Sequence, residues 1–166
     1  MELLRCALYL SVLGAVFHFL GNAYPRERFL PDRYPYRCQE WEQEGRIYRR
    51  IGVHRWKDYM PDSSRFCSYM YRKKVLPGGD AENLRRLVQE TCVAELVHYQ
   101  LIVFSLPVIR FYPGWGGWVI WGLCIVGNLL FVVIQRYNRP RLQRALKRAE
   151  GKAAVQESDR MACPIA

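Results

Sequence analysis

Glu95 and His98 stand three residues apart in AELVHY, at the point where a long apolar run begins. Ionisable groups in such a run cost free energy, so their presence asks for a function. On a helix, positions three apart share a face. At about 100° per residue, Thr91, Glu95, His98 and Ser105 fall within an arc of about 80°. A carboxylate beside an imidazole can fix its orientation and raise its basicity, as the third member of a catalytic triad does. His98 would then take the proton from a hydroxyl nucleophile while an acyl group is transferred, with Glu95 orienting it. On spacing alone, a polar pair that pins one helix to its neighbours explains the same residues equally well.

Other chemistry fits less well. A Glu-x-x-His element also serves carboxylate-bridged di-iron bundles, but those need a second copy and further Glu ligands. This chain has one copy and three histidines, so no metal is expected. Cys92 lies about 120° around the helix from His98, which disfavours it as a covalent nucleophile. In IGVHRWKDYMPD, His54 and Asp58 invite comparison with the His-x-x-x-x-Asp of glycerolipid acyltransferases, but the spacing is one residue short. His54 is expected at the surface. Arg55 and Lys57 are candidates to hold a donor's phosphate or, alternatively, lipid headgroups. The six cysteines, at 6, 38, 67, 92, 124 and 163, form no Cys-x-x-Cys pair. Their spacing matches neither a zinc pattern nor a compact disulfide framework, so free thiols are expected.

These residues must be positioned by membrane helices. Trp115–Ile134 is twenty residues without a formal charge, and a helix of that length covers about 30 Å, the thickness of a bilayer's hydrocarbon core. Trp115, Trp118 and Trp121 cluster at one end, as interfacial aromatics do. Residues 3–24 read as a retained first span, with a cleaved signal peptide as the alternative. Ser11, Gly14, His18 and Asn22 share one face there and suit packing against a neighbouring helix. Residues 93–112 form the weakest run, interrupted by polar residues and Pro107. They connect to the third run, 115–134, through the tight Pro/Gly turn in YPGWGG, which predicts a helical hairpin.

The charge of +10 is unevenly placed. One of the 25 Lys/Arg precedes the first run, fifteen lie between Tyr24 and Cys92, one between the second and third runs, and eight after Ile134. The positive-inside rule then puts the amino terminus outside and the carboxyl terminus in the cytoplasm of a multi-pass cell-membrane protein. Segment 25–92 is cytoplasmic in this reading. Its mixture of Arg with Tyr, Trp and Phe fits anionic headgroups, and no nucleic-acid role is expected of a membrane-anchored chain. GGDAENLRRLVQETC predicts an amphipathic helix, opening near Asp80, that runs into the second span. Glu95 and His98 would then lie at the cytoplasmic interface. Pro140 suits a first helical turn, so a separate basic amphipathic helix is expected over 140–150, lying on the inner leaflet. Residues 151–166 are patternless and expected to be disordered. The fold class is thus an all-α integral membrane protein with about three spans, residues 1–150 forming one membrane domain.

AELVHY, IGVHRWKDYMP and especially IQRYNRPRL resemble the glycosyl-4,4'-diaponeurosporenoate acyltransferases, in the same order along residues 1–150, with an apolar run before the last motif. The resemblance implies an enzyme that esterifies a fatty acyl chain onto the sugar hydroxyl of a glycosylated carotenoid acid, the last step towards staphyloxanthin. It implicates Glu95 and His98, Trp56 and Lys57, and the stretch from Gln135 through Arg141. The expected donor is acyl-CoA or acyl-carrier protein, with no other cofactor. Asn138 with Arg136 or Arg139 is expected to stabilise the oxyanion, and the basic segment to attract the anionic donor. Membrane lipids, the acyl donor and a glycosylated carotenoid or other lipid acceptor are the expected partners, with homo-oligomerisation left open. The alternatives are a non-catalytic membrane binding or assembly subunit, and an acyltransferase acting on another lipid acceptor.

Overall fold

The computed structural model describes residues 1–60 and 80–162. They form α1 (Glu2–Ala23), α2 (Arg46–Arg50), α3 (Val53–Trp56), α4 (Asp80–Phe104), α5 (Val108–Phe111) and α6 (Trp115–Ala162). Short 3-10 turns occupy Arg26–Arg28, Glu40–Gly45 and Lys57–Tyr59. The fold is all-α, with no strand among the described residues. Three stretches, Glu2–Ala23, Ala81–Phe111 and Trp115–Ser158, are long and apolar enough to cross a membrane. The chain divides into two compact units, Met1–Arg37 with Gln89–Arg136, and Cys38–Val88 with Tyr137–Ala166.

In the first unit, α1 buries Cys6, Phe17 and Gly21. Phe17 meets Phe104 with ring centroids 5.3 Å apart, and a Cβ on Gly21 would come within 3.1 Å of Val97 Cγ2. The Ser11, Gly14, His18, Asn22 face, expected to pack inward, is not the packed one. Ser11, His18 and Asn22 are exposed. The reason is partly local satisfaction: Ser11 Oγ donates to Ala7 O at 2.8 Å, and Asn22 pairs with His18 at 3.4 Å, all within the helix. The larger apolar gain lies with Phe17.

The amphipathic segment and the second span form one helix, α4, as the absence of a breaker predicts. It does not continue over all of 93–112. Pro107 has no N–H to donate, and α4 stops at Phe104 before the short α5 resumes. In hydrocarbon an unsatisfied backbone group costs several kcal/mol, and side chains meet the carbonyls around this break. Ile102 O accepts from Ser105 Oγ at 2.8 Å and from Trp121 Nε1 at 3.3 Å. Phe104 O accepts from the Tyr9 hydroxyl at 2.6 Å. The predicted hairpin then turns at Gly114, whose φ of 83° is left-handed. At Gly117 a Cβ would stand 2.3 Å from Tyr112 O and 2.8 Å from Ile109 Cα, so the turn closes only around a residue without one.

Arg26 locks the start of the following loop. Its Nε and Nη2 donate to the two carboxylate oxygens of Glu90 at 2.9 and 3.1 Å. Its Nη1 donates to the carbonyls of Gly21, Asn22 and Tyr24, the orphan acceptors at the end of α1. Phe29 fills the space beside Cys92 and Val93, with Tyr24 and Tyr36 against it.

In the second unit the described residues 38–60 form short helices and turns; Phe66, Tyr69 and Tyr71 lie outside the described residues. Its centre is Glu42, 1% exposed, which accepts from the Gln39 backbone N–H at 2.5 Å and from the Tyr48 hydroxyl. Gln39 and Glu42 close a reciprocal capping box. The helix expected to start afresh at Pro140 is instead part of α6, which carries Pro140 in its interior. The residues from 151, expected to be disordered, continue that helix to Ala162. Residues 144–150 help explain this: Arg144 pairs with Glu44 at 3.3 Å and Glu150 with Arg85 at 2.7 Å, holding the basic helix within its unit. Each exposed pair contributes no more than about 1 kcal/mol. Cys6, Cys38, Cys92 and Cys124 are free thiols.

Candidate functional site

The polar arc on α4, extended by Ser105 just past its end, faces inward. Thr91, Glu95 and Ser105 are buried and His98 is half-buried. Glu95 is fully buried, and its Oε1 accepts from Arg136 Nε at 2.8 Å. Arg136 Nη2 donates to Pro35 O, also at 2.8 Å. One guanidinium therefore ties α4, α6 and the loop after α1 into a single unit. Tyr99 lies one turn beyond Glu95 on the same helix, near both Glu95 and Arg136.

Arg136, expected with Asn138 as an alternative to Arg139 at the oxyanion, pairs with Glu95, as opposite charges withdrawn from water do. The imidazole has its own setting. His98 Nδ1 lies 2.9 Å from Asn128 Oδ1, and the ring stacks on Phe131 with centroids 4.7 Å apart and planes 4° from parallel. Asn128 Nδ2 donates to Cys124 O at 2.9 Å, one turn back on its own helix. The sequence reading missed both Asn128 and Phe131. A signal for Asn128 was present: it is the lone side-chain amide in the uncharged run Trp115–Ile134.

Gln135 is buried in the first unit, and the remaining candidates belong to the second. Asn138 and the buried Arg139 sit on α6, and Arg55 is exposed on α3, followed by the half-buried Lys57. Tyr137 and Arg141, one turn apart, are coupled: Arg141 Nη1 donates to the Tyr137 hydroxyl at 2.6 Å, and its guanidinium carbon lies 5.0 Å from the ring centroid. His54 is exposed, as expected.

The family model described as glycosyl-4,4'-diaponeurosporenoate acyltransferase matches residues 31–148. The chain belongs to that family. Both units carry matched residues, and the match includes Glu95, His98, Asn128 and Arg136. A relative of that name from Staphylococcus haemolyticus (strain JCSC1435) is 28% identical over 65% of this chain, a match spanning 63% of that protein's length. Relatives of the same name from Staphylococcus aureus strains bovine RF122 / ET3-1 and USA300 are each 26% identical over 86% of this chain and 86% of their own. No solved structure matches the chain. Membership places the chain among acyl-transferring enzymes, and its three apolar helices make it a membrane protein.

Proposed function

We propose that this chain esterifies a fatty acyl group onto the sugar hydroxyl of a glycosylated carotenoid acid, with His98 as the general base. The acceptor hydroxyl gives its proton to His98 as its oxygen forms a bond to the carbonyl carbon of an acyl thioester. The tetrahedral intermediate then collapses with cleavage of the carbon–sulfur bond, and the proton passes from His98 to the departing thiolate. A positioned base of this kind contributes roughly 10²- to 10⁴-fold. Glu95 and Arg136 brace the helix that carries it. Arg55, Lys57, Asn138 and Arg139 supply cations and an amide suited to an anionic donor, acyl-CoA or acyl-carrier protein. The amino terminus lies outside and the basic segments face the cytoplasm, where such donors are made.

One observation carries this reading: a histidine set among membrane helices, its ring held on one face and at one nitrogen, in a chain of an acyltransferase family. Purified protein in micelles, given labelled acyl thioester and the glycosylated carotenoid acid, should release free thiol and form labelled ester together. Donor consumption at the same rate without acceptor contradicts the reading. Absence of thiol release with both substrates present contradicts it as well.

A further inference from the structure

A neutral imidazole is a base at one nitrogen only, and the nitrogen is chosen by whichever group faces the other. We infer that Asn128 is the positioning residue that makes this choice for His98, an inference that rests on the base role proposed above. The contact is 2.9 Å between His98 Nδ1 and Asn128 Oδ1. An amide oxygen can only accept, so His98 Nδ1 carries the proton and Nε2 becomes the basic nitrogen. The opposite rotation of the amide would turn Oδ1 towards Cys124 O, setting two acceptors against each other. The bond from Asn128 Nδ2 to that carbonyl removes this option and aims the oxygen at the ring.

Phe131 completes the device. Three residues beyond Asn128, it presents the same face of α6, and its ring lies parallel to the imidazole. The stack restrains the tilt of the imidazole, while Asn128 restrains its rotation in the plane. A carboxylate in Asn128's place would hold the ring equally well but would also favour the imidazolium. An amide fixes the tautomer without adding a charge to an apolar setting. Charge and tautomer are thus handled separately: Arg136 neutralises Glu95, and Asn128 orients His98.

Nitrogen-15 NMR of the full chain in micelles, labelled at its three histidines, reads the tautomer directly, with H98A assigning the signal. His98 should appear as the Nδ1–H form. Asn128→Leu should move it to the Nε2–H form and lower kcat by roughly 10²- to 10⁴-fold, with KM changed less than about threefold. Asn128→Asp, which keeps an oxygen facing Nδ1, should retain the proton on Nδ1 while shifting His98 towards the imidazolium. Wild-type His98 found as Nε2–H overturns the assignment without any variant having to fold. So does an Asn128→Leu spectrum identical to wild type, even where H98A is inactive and the base role survives. Full turnover by H98A removes the base itself, and the role of Asn128 falls with it whatever the tautomer.

Discussion

Replacing Arg136 by methionine tests how the first unit is held together. The Glu95 side chain is 0% exposed and that of Arg136 14%, with 2.8 Å between Nε and Oε1. Removing the cation leaves a carboxylate out of water, which costs about 3–5 kcal/mol when a buried pair is broken on one side. Glu95→Gln removes a charge from the other side but keeps an acceptor oxygen, and Arg136 retains Pro35 O and some solvent. Its cost should be smaller, about 1–2 kcal/mol. The double variant E95L/R136M leaves no unpaired charge, although Pro35 O loses its donor, and should be more stable than Arg136→Met by about 2 kcal/mol or more. Chemical denaturation in mixed micelles, followed by far-ultraviolet circular dichroism, ranks the three. An Arg136→Met protein within 1 kcal/mol (about the error of interest) of wild type, or a double variant less stable than that single, refutes the claim that this ion pair is buried and mutually dependent.

Gly117→Ala should disrupt the hairpin, because the new methyl meets the Tyr112 and Ile109 backbones; a loss of about 1–3 kcal/mol in thermal unfolding is expected. Gly122→Ala, with nothing within 4 Å, is the control and should be neutral or stabilising by up to about 1 kcal/mol. Tyr9→Phe removes the donor to Phe104 O and should cost about 0.6–1.7 kcal/mol by the same measurement. Glu42→Ala takes the shared acceptor from the Gln39 N–H and the Tyr48 hydroxyl; a loss of about 1–3 kcal/mol, with faster amide exchange at Gln39, should follow.

What was legible in the sequence follows the range of the interactions. The third span needed only twenty uncharged residues, and the hairpin only YPGWGG beside it. The inward arc of Thr91, Glu95 and Ser105 came from helical periodicity alone. Periodicity could also have carried α6 through Pro140, but proline weighs as a breaker in any local reading, and the pairs that hold the helix beyond it reach residues 44 and 85. Partners were the least legible feature. Arg136 meets Glu95 across 41 residues and His98 meets Asn128 across 30, separations about which spacing on one helix is silent. The outward stripe on α1 shows the same limit: small and polar residues mark a face that can pack, while the face that does pack was decided by Phe17, Cys6 and Gly21.

The acyltransferase account is tested most directly by turnover in His98→Ala. The variant should insert and fold, bind the acyl thioester, and form ester roughly 10²- to 10⁴-fold more slowly. A folded His98→Ala protein that makes the ester at the wild-type rate contradicts the account.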